Sequence, residues 1–171
     1  MRITGGILRG RTVPLRVPNG VRPTSARVRE AMFSVIGQDL SGQTVLDACG
    51  GSGLLGIEAA SRGARVTTVE RRSSVARAIA QTAAALDVAL DVRTQDARTV
   101  FGAGEWDIVL LDPPYADDAL AWALGAAAAA LEVLVVEHRA TFTMPTALDA
   151  LVLDKPRRYG DTALSIYWRR A

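Results

Sequence analysis

Four consecutive apolar residues, Ile108 to Leu111, run into Asp112, Pro113, Pro114 and Tyr115. A continuous apolar run of this length predicts a strand over Trp106–Asp112, buried on both faces of a parallel sheet. The two prolines lack a backbone N–H and fix φ, so the chain must leave the sheet there. Asp112 is therefore expected at the carboxyl end of a buried strand, where open α/β sheets place their ligands. Upstream, Thr44 to Asp47 predicts a shorter buried strand, followed by a glycine-rich turn, Ala48 to Gly53, and a helix from Leu54 to Ser61 closed by Gly63. Further strands are expected over Arg65–Glu70, Val88–Thr94 and Val133–Glu137, with helices over Ser73–Leu86 and Ala116–Leu131. This alternation predicts an α/β fold with a mostly parallel, doubly wound sheet, right-handed crossovers and helices on both faces. The tail, Leu148–Pro156 and Thr162–Arg169, reads as two strands joined by Arg157–Asp161, an antiparallel closing hairpin that brings the sheet to seven strands.

The first residues follow a different pattern. Arg2 to Val17 alternates apolar and basic positions around Gly5-Gly6 and Gly10, which predicts short strands or a hairpin. Pro18, Asn19-Gly20 and Pro23 then break the chain into loop. Thr24 is the expected N-cap of a helix running to Gly37, with Val28, Met32, Val35 and Ile36 at helical spacing. The expected organisation is a basic N-terminal hairpin or arm over 1–23 and one domain over 24–171.

Charge sharpens that division. The formal net charge of +2 over 171 residues is unremarkable. Residues 1–29 contain seven arginines and no acid, giving +7; residues 30–171 carry −5. An arm of one sign on a body of the other points to a polyanionic partner. The candidate nucleic-acid contacts are Arg2, Arg9, Arg11, Arg16, Arg22, Arg27 and Arg29, with Arg157 and Arg158 at the tail corner. The single cysteine, Cys49, excludes an internal disulfide and fits a reducing compartment. No apolar segment follows Met1-Arg2, and the least charged stretch, Ala119 to Leu131, is 13 residues long; a bilayer span needs about 20. A cytoplasmic monomer with no membrane association is expected. One histidine, His138, and one cysteine give no metal-site spacing, so no metal is expected.

Three strand ends carry candidate ligand chemistry. In the first turn, Ala48, Cys49, Gly50, Gly51 and Gly53 let backbone approach a ligand, and the next helix directs N–H groups at it. Gly51 to Gly56 matches G-x-G-x-x-G, by itself a weak dinucleotide signal. Asp47, just before the turn, suits an ammonium or amide and would repel a pyrophosphate; S-adenosylmethionine offers an ammonium and no phosphate. Glu70, followed by Arg71, can accept two ribose hydroxyls, a role common to nicotinamide and S-adenosylmethionine sites. Asp96, followed by Ala97, is placed to take an adenine amino group or to act as a loop acid.

With Asp47–Gly53, Glu70, Asp96 and Asp112–Tyr115 taken together, the chain resembles class I S-adenosylmethionine-dependent methyltransferases, in the branch that methylates exocyclic amino groups of nucleobases. Arg22–Glu30, Gly51–Ala59 and Tyr159–Thr162 resemble a narrower group, the bacterial RsmD family. That resemblance covers almost the whole chain. It implies a Rossmann-like class I methyltransferase fold, with S-adenosylmethionine as cofactor. It implies methylation of a guanine N2 in 16S ribosomal RNA, on an assembled or partly assembled 30S particle. The chain departs from the family's usual residues at Ala26, commonly Asp, at Thr82, commonly Asn, and at Cys49-Gly50, commonly Phe-Ala.

Amine methylation needs the lone pair held in line with the S–CH₃ bond. Asp112 and the Pro113 carbonyl are the candidate acceptors of the two N–H bonds, with Pro114 fixing the turn and Tyr115 stacking on the base. Competing readings are an adenine-N6 or cytosine-N4 nucleic-acid methyltransferase, a nicotinamide oxidoreductase, and a non-catalytic RNA-binding module.

Overall fold

The computed structural model describes residues 1–14, 24–114 and 118–170. The expected roles of Arg16, Arg22 and Tyr115 fall outside these residues. Four helices are present among the described residues: α1 (Ala26–Ile36), α2 (Leu54–Ser61), α3 (Ser73–Ala85) and α4 (Ala119–Ala127). The strands are β1 (Thr44–Asp47), β2 (Arg65–Val69), β3 (Asp91–Arg93), β4 (Trp106–Leu111) and β5 (Ala130–Arg139). The tail adds β6 (Ala147–Leu148), β7 (Leu151–Leu153), β8 (Arg157–Tyr159) and β9 (Thr162–Arg169). The chain divides into two compact units, Met1–Ala97 and Arg98–Ala171.

In the first unit, β3, β2 and β1 are parallel neighbours in that order. Asp47 pairs with Thr68 and Thr68 with Val92, so the three strands end side by side. Helix α2 is apolar nearly all round, and every residue except Ala60 is buried, as expected of a helix enclosed by its surroundings. Its Leu54 and Ile57 form a cluster with Ile3, Leu8, Val13 and Leu86. Each such side chain contributes about 1.5–3 kcal/mol by leaving water. The first 14 residues are therefore packed on α2. The expected hairpin is reduced to a single bridge, Arg2 to Thr12. The Gly10 N–H also donates to the Ile3 carbonyl across it at 2.9 Å, and Ser61 takes up groups of the intervening loop. The Ser61 carbonyl accepts the Ile7 N–H at 2.8 Å. Its hydroxyl donates to the Gly5 carbonyl at 2.7 Å and accepts the Leu8 N–H at 3.0 Å.

Helix α1 starts where expected, with its cap shifted by one residue. Ser25, not Thr24, is the N-cap, in extended conformation, and its Oγ accepts the Val28 N–H at 3.3 Å. The Thr24 carbonyl is taken by the Arg29 guanidinium instead.

In the second unit the order is β4-β5-β9-β7-β6, with β8 also on β9. Strands β4 and β5 are parallel, with Leu111 opposite Val136; β5 and β9 are antiparallel, with Arg139 opposite Thr162. The Ala-rich stretch expected as one long helix is divided. Asp118 caps α4, its Oδ1 accepting the Leu120 N–H at 2.9 Å. The helix ends at Ala127, and Ala130 already pairs with Trp106 in the sheet. Alanine propensity favours continued helix, so sheet pairing overrides it here and no residue in the run marks the change. The tail also differs from two plain strands. Asp149 adopts φ 53° between β6 and β7, and Pro156 has no N–H to continue β7 into β8. The expected connection is itself a strand, β8, and the turn is Gly160-Asp161 alone. No helix among the described residues is long and apolar enough to cross a membrane.

Candidate functional site

The ends of β1 and β2 converge on one turn. After Asp47 the chain bends through Ala48–Gly53, and the Gly50 N–H donates to the Val69 carbonyl at 2.7 Å. Glu70, one residue past β2, is buried and receives the Gly51 N–H on Oε2 at 3.0 Å. Its Oε1 accepts the Arg72 N–H at 2.9 Å and Arg72 Nε at 3.2 Å. Both carboxylate oxygens are engaged, yet a carboxylate offers about four lone-pair sites. Glu70 thus fixes the turn and retains capacity for two hydroxyl donors. Arg71 beside it is exposed, and Cys49 is half-buried.

Asp47 is 1% exposed. Its Oδ2 accepts the Gly56 N–H, from the first turn of α2, at 3.1 Å. Burial pushes its carboxyl up to about 7, and the charge of Glu70 adds to the rise; the Gly56 N–H and the Thr68 hydroxyl pull the other way. Such a group gains from a cationic ligand, which would offset the loss of water around the carboxylate. Gly56 is required for this closeness. A Cβ there would lie 2.4 Å from Thr68 Oγ1 and 3.1 Å from Asp47 Oδ2. The turn therefore joins two buried carboxylates to the half-buried backbone of Gly51, just ahead of a helix start. That donor set fits a ligand carrying an ammonium and vicinal hydroxyls, and disfavours a pyrophosphate. Asp96 is half-buried, and Ala97 is buried at the start of the 3₁₀ turn Ala97–Thr99. Both follow β3, at the same ends as Asp47 and Glu70.

In the second unit, Asp112 follows the last residue of β4 and is half-buried; Pro113 is buried and Pro114 exposed. The strand before them is as buried as its apolar run predicts, with Val109 and Leu110 at 0% exposure. Among the described residues no cluster of histidine, cysteine and acidic side chains could hold a metal ion.

The arginines expected to meet a polyanion divide into two groups. Arg2, Arg9, Arg11, Arg27 and Arg158 are exposed, and Arg157 is half-buried against Asp154 at 2.6 Å. Arg29 is a correction to that expectation: it is 1% exposed and presents nothing to a surface ligand. Its Nε pairs with Glu58 Oε1 at 3.1 Å and its Nη2 donates to the Arg2 carbonyl at 2.9 Å. Glu58, fully buried in α2, also pairs with Arg62 and accepts the Thr4 N–H at 2.8 Å and the Thr4 hydroxyl at 2.9 Å. Arg62 lies over the Phe33 ring, 4.0 Å from its centroid. This network, which ties the first residues, α1 and α2 together, was missed from the sequence. Its signal was available: an acid inside the apolar run Leu54–Ser61 needs a buried cation.

Comparison with known proteins adds a family and a fold. Residues 1–168 match the family model described as conserved hypothetical protein 95. The ribosomal RNA small subunit methyltransferase D of Escherichia coli strain K12 is 33% identical over 120 residues, covering 67% of this chain and 60% of that enzyme. The solved structure of Escherichia coli yhhF matches 100% of this chain and 98% of its own, with 31% identity and a TM-score of 0.85. A Thermus thermophilus 16S rRNA N2 G1207 methyltransferase, solved with AdoMet and guanosine, covers 99% of this chain and 49% of its own. Its identity is 21% and its TM-score 0.72, a likeness of fold. The fold is Rossmann-like, of the class I methyltransferase type.

Proposed function

Because this chain belongs to the family described as conserved hypothetical protein 95, the RsmD family, we propose that it transfers a methyl group from S-adenosylmethionine to a guanine N2 of 16S ribosomal RNA. The proposed substrate is the assembled or partly assembled 30S particle. The observation that carries this reading is the half-buried Asp112 at the carboxyl end of β4, followed by two prolines. The relatives' names support ribosomal RNA as the substrate class.

The donor supplies an activated sulfonium methyl when bound. In this reading Asp47 meets its ammonium, Glu70 its ribose hydroxyls, and Asp96 its adenine amino group, with Ala48, Cys49, Gly50, Gly51, Gly53, Arg71 and Ala97 around it. Asp112 and the Pro113 carbonyl each accept one N2–H bond, which holds the amine pyramidal and directs its lone pair. When bound, S-adenosylmethionine would supply the methyl group to N2 and leave as neutral S-adenosylhomocysteine, and the displaced N2 proton would pass to solvent water. Asp112 stabilises the positive charge that passes onto nitrogen. Pro114 keeps the turn rigid and Tyr115 stacks on the base. The exposed arginines Arg2, Arg9, Arg11, Arg27 and Arg158, with Arg16, Arg22 and Arg157, contact the RNA backbone.

The test is methyl transfer from tritiated donor to small subunits that lack the modification, followed by nucleoside analysis. N2-methylguanosine is expected. N6-methyladenosine or N4-methylcytidine would assign the site to a different exocyclic amine. RNA binding without binding of S-adenosylhomocysteine would make the chain a non-catalytic module.

A further inference from the structure

A surface centred on Phe142 lies at the same end of the second unit as Asp112. Strands β4 and β5 are parallel, and Leu111 is opposite Val136. Beyond this pair both chains run in one direction: Asp112 leaves the sheet, while β5 continues in it through Glu137. Strand β5 runs on through His138 to Arg139, which pairs with Thr162 at the start of β9. There the chain turns: the Ala140 N–H donates to the Asp161 carbonyl at 2.8 Å, and the Phe142 N–H to the Arg139 carbonyl at 3.0 Å. The Arg158 guanidinium donates to the Ala140 carbonyl, tying β8 to the same turn.

Phe142 stands on this turn with 39% of its surface in water. Its ring is not loose. It packs edge-to-face on His138, with centroids 6.1 Å apart and planes at 82°. The His138 ring is buried and held from both sides: Nδ1 donates to the Arg139 carbonyl at 2.9 Å, and Nε2 accepts from Ser165 Oγ at 2.9 Å. Burial, and secondarily the charge of Arg158, push its pKa below the ordinary value, so the ring is neutral at pH 7. Arg139 and Arg158, on either side of the turn, are exposed.

An exposed aromatic ring packed on a buried histidine, with Arg139 and Arg158 exposed at the same turn and on the rim that carries Asp112, has the composition of a single-strand nucleic-acid platform: a π face for a base and guanidinium groups for its phosphates. An ordinary solvent-facing turn has no need of a large apolar ring fixed by a buried histidine. We propose that Phe142, flanked by Arg139 and Arg158, stacks on an unpaired nucleobase of the RNA beside the base presented to Asp112. Phe142 is a positioning residue: it touches no reacting atom and sets where the strand lies. The inference rests on the RNA methyltransferase reading and deepens it.

The experiment is steady-state methyl transfer to unmodified small subunits, with Phe142→Ala, Phe142→Leu and Phe142→Trp compared with the unaltered chain. Anisotropy is measured in parallel on a fluorescein-labelled single-stranded fragment of the same RNA. Loss of one stacked base corresponds to roughly a tenfold effect. Phe142→Ala and Phe142→Leu are expected to raise the KM for the particle and the Kd for the fragment by about that factor, with kcat little changed. Phe142→Trp keeps both near the starting values, and S-adenosylhomocysteine binds all four proteins equally. Leucine preserves the apolar contact with His138 and removes the flat ring, so a leucine variant as good as phenylalanine overturns stacking. A particle KM that rises while fragment binding stays constant assigns the surface to a protein of the particle and also overturns it. An unaltered chain that methylates RNA while Phe142→Ala changes nothing overturns this inference alone. A chain that neither binds nor methylates RNA overturns it together with the reading beneath it.

Discussion

The Glu70 carboxylate accepts the Gly51 N–H at 3.0 Å, so the acid that ends one strand fixes the turn that ends its neighbour. In the proposed site, shape and ligand chemistry then fall on one side chain. Glu70→Asp withdraws the carboxylate by one methylene and loses the Gly51 bond. A charge-assisted hydrogen bond of this kind is worth about 1.5–3 kcal/mol. Titration calorimetry with S-adenosylhomocysteine is expected to show affinity at least tenfold weaker, with the melting temperature lowered by several degrees. Equal affinity would remove Glu70 from the ligand site.

Asp47 makes the site sensitive to pH. Its pKa is pushed up to about 7 in the folded chain, from an ordinary value of 3.8. The native state then holds more protons than the unfolded state between those values, so this group's contribution to stability falls as pH rises towards 7 and is lost above it. Ligand binding runs the other way, because the ammonium of S-adenosylhomocysteine favours the carboxylate. Its affinity is expected to rise with pH through about 7 and then level off. Asp47→Asn should flatten both trends relative to the unaltered chain, lower the affinity, and raise stability above pH 7. Parallel slopes in the two proteins, in melting and calorimetry, would argue against Asp47 as the titrating group. His138 titrates in the opposite sense, its stability contribution falling as pH drops below 6.5, which is why the comparison is made against the variant.

The buried ion-pair network separates arginines that hold the fold from those that face solvent. Glu58→Gln leaves Arg29 and Arg62 uncompensated in the interior and is expected to cost about 3–5 kcal/mol, read by denaturant unfolding. Arg29→Met should also lower stability while RNA affinity, measured where the chain is folded, stays unchanged. Arg9→Gln should behave in the reverse way. Its melting temperature is unchanged, its RNA affinity weaker, and the slope of binding against log salt is reduced by about 1. Equal effects of Arg29→Met and Arg9→Gln on RNA binding would contradict the division.

For Asp112, replacement by alanine removes one of the two proposed acceptors of the target amine. Turnover is expected to fall by about 10²–10³-fold, as when a group stabilising developing charge is removed, with S-adenosylhomocysteine affinity unchanged. Asp112→Asn retains one carbonyl acceptor and should lie between the two. Activity of Asp112→Ala within tenfold of the unaltered chain would refute the proposed role.

What could be read in advance follows from how locally each feature is encoded. The run Ile108–Leu111 and the short strand before the glycine turn carry their own burial signal, and both lie where the pattern puts them. The glycine turn was equally legible, since its backbone demands small residues. Positions that depend on a distant partner were not. Arg29 belongs by charge to the basic N-terminal stretch, and Glu58, 29 residues away, supplies the acid that compensates it inside. Ser25 caps α1 in place of Thr24, whose carbonyl faces the Arg29 guanidinium. Alanine favours helix throughout the Ala-rich stretch, so the pattern carried helix on to Leu131, and pairing with Trp106 overrides that propensity where α4 gives way to β5. Phe142 carried no sequence signal at all; the buried ring beneath it gives it a fixed attitude.

Gly56 completes the pattern that begins at Gly51, the arrangement that reads on paper as a fingerprint for dinucleotides. Its N–H serves Asp47, and its missing side chain makes room for Thr68. The third glycine of that string is thus a spacer between layers and carries no information about what docks above it. Searches that infer a nucleotide from glycine spacing will misfile chains of this kind. The acid in front of the string is the better witness.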